Sequence, residues 1–421
     1  MHLLILTSMA TMLLTGKSYN YLPTIFLFFL IVYQLYSAHS LMRPKVFKSS
    51  NMSLNKDVLW IKAILLSLLL FFCVHVIYMI GFHEKLKILD NSYKSIVFIP
   101  ILLYWVRSNA EKSIRAFFLG SAFGGIVGGV VGTYGYFILH LPRAFGDQYM
   151  YIQAGDMSMT LGLFSLLGLF YNSSPKRIYK TIMVLGMIGG IWGSIVSGSR
   201  GGWLILLPAA IFILYMFRKR ISKKVLFITT SIAIVIIIGA VATPQTGIWQ
   251  RYVDMKHDVH QYENNHVNTS LGLRFNMWKG AWTAIKEKPI IGWGVTGAQN
   301  LKKEQVKQGI LVKEVSEFTQ VHNQPLNDWY ERGILGLLTG LGIFLVPAIW
   351  FWRVIKKYSM YADSVIMACA GILHVAATFS YGLSQGFLEH NSGNVFFFFT
   401  LILIISLLWQ TLEENKKYND D

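Results

Sequence analysis

Cysteine is nearly missing from this chain: Cys73 and Cys369 are the two among 421 residues. Both fall inside apolar runs, so the chain offers no disulfide framework and no thiolate metal cluster, and the pair read as small core residues. Charge is scarce as well. Only 14% of residues are Asp, Glu, Lys or Arg, where a soluble protein carries about 25%. Acidic residues are the scarcer sign, 21 against 38 basic ones. No stretch alternates apolar and polar residues in the manner of a half-buried strand, and internal repeats and low-complexity runs are missing too. Together these absences exclude a soluble globular enzyme, a disulfide-stapled secreted domain and a repeat array.

What is present is apolar residue, 54% of the chain, with a mean hydropathy of +0.46. A membrane helix needs about 20 mostly apolar residues. Twelve runs qualify as candidates, near 2–15, 21–39, 58–80, 92–106, 116–140, 152–171, 178–196, 201–217, 225–243, 333–352, 363–382 and 393–411, the first and fourth being short. The expectation is an all-α polytopic membrane protein of about twelve transmembrane helices. Residues 1–243 would hold nine of them, 244–332 a large outer loop with short helices, and 333–421 the last three and a tail, all as one integrated membrane domain. The apolar start, Met1 to Leu14, lacks a small-residue cleavage site and is expected to be the first membrane helix.

The net charge of +17 would suggest nucleic acid in a soluble protein. Here the basic residues gather in short loops, around Arg43–Lys56, Arg107–Arg115, Lys176–Lys180, Arg218–Lys224, Arg353–Lys357 and Lys416–Lys417. Alternate loops are poorer in them, so the positive-inside rule puts the rich set and both termini in the cytoplasm, and no nucleic-acid partner is expected. The polar stretch from Pro244 to Arg332 then lies outside, with Arg143, Arg200 and the turn from Leu383 to Asn391. ATP and nucleotide sugars are not available there. A bond-forming reaction at that face needs a pre-activated donor carried by the membrane.

Three positions suit such chemistry. Arg200 lies in Ser197-Gly198-Ser199-Arg200-Gly201-Gly202-Trp203, between two apolar runs. An arginine there is costly unless it meets a wet cavity or an anion, and the glycines allow close approach, so an anion site is favoured over simple snorkelling. Arg274, Trp278 and Trp282 recur every four residues and share one helix face. That face suits a membrane surface, and an arginine near a helix N-terminus suits phosphate. His322 leads Asn323 and Pro325 into the next membrane helix, and histidine is the natural base near neutral pH. His257, His260 and His266 read as surface residues of an Asn-rich segment, and no metal site is expected from them. Arg143, in Leu141-Pro142-Arg143-Ala144-Phe145-Gly146, precedes a run that contains Asp156; Glu389, His390 and Asn391 lie in the last outer turn. Either group can line the same cavity or be ordinary loop.

The Ser-Gly-Ser-Arg-Gly-Gly-Trp element, the Arg274 helix and the His322-Asn323 pair together resemble the O-antigen ligase family, which includes the O-antigen polymerases. The Arg143-Ala144-Phe145-Gly146 stretch and the position of the loop lean towards the ligases, and Glu389 sits where a ligase carries an acidic residue. The resemblance implies a GT-C-type glycosyltransferase of the Gram-negative inner membrane with its active site facing the periplasm. It would move O-antigen from undecaprenyl diphosphate to a terminal sugar of lipid A-core, with inversion and with neither metal nor other cofactor. It further implies Arg200, Arg274 and His322 as the catalytic residues. Arg143 would assist with phosphate, Asn323 would orient the imidazole or a sugar hydroxyl, Trp278 and Trp282 would seat lipid or sugar, and Glu389 would complete the site. An O-antigen polymerase is the nearest alternative, a protein oligosaccharyltransferase a more distant one, and a lipid or glycan transporter belongs to a different class.

Overall fold

The computed structural model describes residues 2–39, 52–104, 109–141, 143–146, 150–171, 176–220, 248–264 and 266–420. Every regular element among them is helical. The membrane body contains α1 (His2–Ala10), α2 (Ser18–His39), α3 (Met52–Gly81), the short α4 (Leu89–Ser92), α5 (Lys94–Val97) and α6 (Pro100–Tyr104), then α7 (Ala110–Thr133), α8 (Tyr151–Gly168), α9 (Arg177–Ser197) and α10 (Arg200–Phe217). Three helices follow in the polar stretch: α11 (Ile248–Glu263), α12 (Ser270–Glu287) and α13 (Val295–Lys307). The chain then returns to the body as α14 (Gln324–Lys357), α15 (Ala362–Gly382) and α16 (Asn391–Asp420).

Seven helices among the described residues are long and apolar enough to cross a membrane: Lys56–Gly81, Ala110–Ile138, Arg177–Ser197, Gly201–Arg220, Gln324–Lys357, Ala362–Gly382 and Asn391–Asn415. The protein is an all-helical polytopic membrane protein, but the described residues do not reach the expected twelve spans. The reasons are local. Helix α1 has nine residues, about 14 Å at 1.5 Å per residue, against a hydrocarbon core of about 30 Å. The run at 92–106 is split among α4, α5 and α6. The run at 152–171 is α8, whose Gln153, Asp156, Ser158, Thr160 and Ser165 are all buried, so it is an interior helix sheathed by its neighbours. The run at 225–243 lies outside the described residues.

Packing in the body relies on close backbone approach. On α7 and α9, a Cβ at Gly125 would lie 2.3 Å from the Gly186 carbonyl, and one at Gly129 would lie 2.8 Å from Gly189 Cα. Lipid supplies no hydrophobic drive between helices, so small residues that bring backbones together give the dispersion contact that does. Helix α16 runs through the centre, its apolar stretch wholly buried.

The helix ends sort to two faces. At one, Asp57 of α3 accepts from Lys357 at 2.8 Å and Tyr358 at 2.7 Å, and Glu414 of α16 caps the Ala110 amide of α7 at 2.9 Å. At the other lie the starts of α8, α14 and α16, the α9–α10 junction and the end of α15.

Helices α11 to α13 rest on that second face with a small core of their own, built from Met277, Ala281, Ile285, Leu311, Val315, Val321 and Tyr330. What pins this core is a break in α14, where Arg332 (φ −121°, ψ 15°) and Gly333 (φ 58°, ψ −159°) leave helical geometry. The chain from Ile290 to Gly294 fits into the break. Trp293 N–H donates to Tyr330 at 3.1 Å, Gly294 N–H to Glu331 at 2.8 Å, and Ile334 N–H to Ile290 at 3.2 Å. Backbone groups freed by the break therefore find partners. Glycine is required at position 333: its φ is left-handed, and a Cβ would sit 2.0 Å from the Ile290 carbonyl oxygen. Gly333→Ala should cost about 1–3 kcal/mol. It should lower the melting temperature of the purified protein and speed proteolytic cutting between residues 288 and 294; an unchanged melting curve would show that the break does not pin the outer helices.

Candidate active site

Arg200 opens helix α10. Helix α9 stops at Ser197 because Gly198 takes a left-handed conformation (φ 69°), and Ser199, in extended geometry, starts the next helix. Asp156 of α8 lies under this junction: its Oδ1 accepts from Ser199 Oγ at 2.7 Å, and the Gly202 amide also donates to it. A buried carboxylate at a helix start complements the dipole. It also leaves the Arg200 position at the open end of the helix. The turn from Arg143 to Gly146 packs against the same junction, with the Ala144 amide donating to Val196 at 3.2 Å. Arg143 is exposed, and its guanidinium lies 4.2 Å from the centre of the Tyr151 ring.

His322 adopts a left-handed backbone (φ 54°), uncommon for a residue with a side chain. The conformation is held from both sides. Upstream, Val321 accepts from Trp278 Nε1 at 2.9 Å and donates to Asn327 Oδ1 at 3.2 Å. Downstream, Asn323 caps α14, its Oδ1 accepting from the Leu326 amide at 3.1 Å, and Pro325 follows in the first turn. The Phe318 ring meets the imidazole edge-to-face at 5.2 Å. His322 Nδ1 is buried with no hydrogen-bond partner among the described residues. Burial first, then the positive charges of Arg274, His390 and Lys302, pull its pKa down to about 4. The ring is neutral at physiological pH, as a base must be.

Arg274 and Trp278 stand one turn apart on α12 and both serve this corner: the arginine interacts electrostatically with His322, and the indole holds the residue before it. Trp282, a turn further on, points away. It is exposed and packs edge-to-face on Trp329 at 5.7 Å, with Lys286 near its face. The last outer turn closes the corner. Gln324 accepts from the Leu388 amide at 3.2 Å and donates to Glu389 Oε1 at 3.3 Å; Asn323 Nδ2 donates to the Leu383 carbonyl at 3.4 Å; and the Gln320 amide reaches His390 Nε2 at 3.4 Å. The same turn touches the Arg200 junction, since a Cβ on Gly201 would lie 3.0 Å from Ser384 Oγ. The structure thus gathers Arg274, His322, Asn323 and Glu389 in one corner and sets that corner beside the helix start that carries Arg200.

Sequence reasoning missed a buried ion cluster next to it. Arg332, 3% exposed, pairs with Asp328 Oδ1 and Glu331 Oε2, each at 2.9 Å, and Glu389 adds its field. Three carboxylates surround one guanidinium. The signal was present as Asp328 and Arg332 at i,i+4 with Glu331 between, just ahead of an apolar run. Lys302 of α13 was also missed. It is buried, burial lowers its pKa to about 8 against the opposing pull of Glu331, and nothing in its polar helix marks it out. Removing one member of a buried cluster costs about 3–5 kcal/mol because the rest lose compensation. Arg332→Met should lower the melting temperature sharply, and Arg332→Met with Asp328→Leu should recover part of the loss. A single variant as stable as the wild type would remove the cluster from the folding account.

A groove of about 500 Å³ with almost wholly apolar walls opens between α7 and α9, lined by Gly129, Thr133, Tyr134, Leu185, Ile188 and Trp192 among others. Its outer end abuts the Arg143 turn, where Phe145 lies against Gly132 and Gly135.

With this geometry in view, the comparisons with known proteins take on meaning. The family model described as O-Antigen ligase matches residues 184–341, a stretch that contains Arg200, Arg274, His322 and the Arg332 cluster. The chain is also 29% identical over 406 residues to an uncharacterised protein of Haemophilus influenzae, covering 96% of this chain and 97% of that protein.

Proposed function

We propose that this chain, which belongs to the O-antigen ligase family through residues 184–341, is the ligase itself: a metal-independent, inverting membrane glycosyltransferase of GT-C type. It moves O-antigen from undecaprenyl diphosphate to a terminal sugar of lipid A-core. One observation carries the reading: a neutral, conformationally held His322 stands beside Arg274, on the same face of the membrane body as the start of α10 with Arg200.

The roles follow from chemistry. The donor arrives with a diphosphate leaving group, so no strong acid is needed. Guanidinium groups hold phosphate oxygens with paired charge-assisted bonds at any working pH, and Arg200 and Arg274 supply two. The free amides at the start of α10 add their dipole to Arg200. His322 takes the proton of the acceptor hydroxyl as its oxygen attacks the anomeric carbon; the carbon–oxygen bond to diphosphate breaks, and undecaprenyl diphosphate leaves. Charge that grows on the leaving group meets the arginines, which bind it better than the ground state. Arg143, at the mouth of the apolar groove between α7 and α9, suits the point where a polyprenyl chain meets its diphosphate. Asn323 and Glu389 face the acceptor sugar, and Trp278 serves by holding His322. The active face looks into the periplasm of the inner membrane, and both termini lie in the cytoplasm.

Cells that depend on this protein test the reading. His322→Ala should abolish O-antigen on lipopolysaccharide, a loss of about 10²–10⁴-fold in transfer, while the protein still inserts and still binds the lipid donor. Arg200→Lys should also fail, on the order of 10²-fold, because a point charge does not replace a two-pronged one. Near-normal smooth lipopolysaccharide in either strain contradicts the assigned role. Deletion separates the ligase from a polymerase: a ligase mutant accumulates lipid-linked polymer and makes rough lipopolysaccharide, whereas a polymerase mutant still adds a single repeat.

A further inference from the structure

Lys302 is an anomaly. It is 4% exposed on a helix that is otherwise polar and solvent-facing, and it makes no ion pair among the described residues. Its Nζ donates to the Phe318 carbonyl at 2.6 Å. An ammonium is an expensive way to satisfy a carbonyl, since a neutral amide does so without burying a charge. The position of the charge supplies a reason. On one side lies Glu331, the countercharge at the break in α14; on the other lies His322, four residues beyond the carbonyl that Lys302 holds. Helix α13 itself is firmly placed. Glu84 caps its start through the Thr296 amide at 2.7 Å, and the Tyr330 hydroxyl donates to the Ala298 carbonyl.

We propose that Lys302 is a positioning residue for the transfer reaction: its ammonium fixes the Phe318 carbonyl, and with it the ring packed on His322, while its charge holds that imidazole unprotonated. The proposal rests on the reading of His322 as the base. The charged and titratable groups that face His322 are Arg274 from α12, Lys302 from α13 and His390 from the turn before α16. Of these, Arg274 is assigned to the diphosphate and would be partly neutralised by the bound donor. Lys302, buried behind Phe318, keeps its charge on the imidazole throughout the cycle. The sign is fixed: a positive neighbour disfavours the imidazolium, so loss of that neighbour lets His322 take up a proton at higher pH.

The test compares Lys302→Gln, which keeps a donor for the Phe318 carbonyl but loses the charge, with Lys302→Arg, which keeps the charge. In the purified full-length protein, the pH dependence of His322 carbethoxylation is read by peptide mass spectrometry. The transfer rate is followed over the same range. In Lys302→Gln, both the half-point of His322 modification and the acid limb of the rate should move up by about one pH unit. Lys302→Arg should restore both towards the wild type. A folded Lys302→Gln protein whose His322 titrates where the wild type does, or an arginine variant that behaves as the glutamine one, overturns the proposal. It would leave the lysine as a carbonyl partner only. Should Lys302→Gln fail to fold, Lys302→Arg alone decides: a wild-type titration with a wild-type rate supports the charge, and a shifted titration overturns it. The failure of the base assignment looks different, with His322→Ala retaining transfer while the modification curve still reports the coupling between Lys302 and His322.

Discussion

The break in α14 at Arg332 and Gly333 is the constraint on which the rest depends. A helix of 34 residues would run about 51 Å, and without interruption it would expose no backbone to pair with another segment. The break frees carbonyls at Tyr330 and Glu331, and the chain from Ile290 to Gly294 takes them. That junction fastens the outer helices to the membrane body. It also fixes where α12 can lie, and therefore where Arg274 and Trp278 meet the residues before α14. The charge cluster at the same level ties the break inward, through Asp328 to Gln324 and through Gln324 to the last outer turn.

Electrostatics at this corner is lopsided by design of the sequence. Carboxylates gather below, around Arg332, and cations gather above, around His322. The separation keeps the imidazole neutral and leaves the upper layer ready for an anion. A diphosphate brought there by a lipid finds arginine positions on two elements that are distant in sequence, one in the body and one in the outer helices. Asp156, under the start of α10, keeps that junction in place without standing above it.

The sequence made some of this legible and hid the rest for physical reasons. Composition and apolar runs pointed to an all-helical membrane protein, and the stretch from 184 to 341 carries the family match. The four-residue spacing of Arg274 and Trp278 placed both on one face, as found. The span count was not legible, because an apolar run does not reveal whether a helix faces lipid or other helices. Helix α8, with its buried polar side chains, is the clear case. The left-handed backbone of His322 was hidden too, since it is imposed by Trp278, Asn327 and Asn323 together. Trp278 changed meaning most: from a surface for lipid or sugar to a hydrogen-bond donor that holds the chain at Val321. Lys302 was invisible, because its burial comes from helices packed around it rather than from any local pattern.

The most direct measurement of the central claim is transfer in a purified system. The protein, a lipid-linked O-antigen and lipid A-core are combined in detergent or vesicles, and each lipid is omitted in turn. The account predicts glycan joined to lipid A-core only when both lipids are present, with free undecaprenyl diphosphate as the second product. Polymer growth on the lipid donor without any lipid A-core, or no transfer with both lipids present, would contradict it.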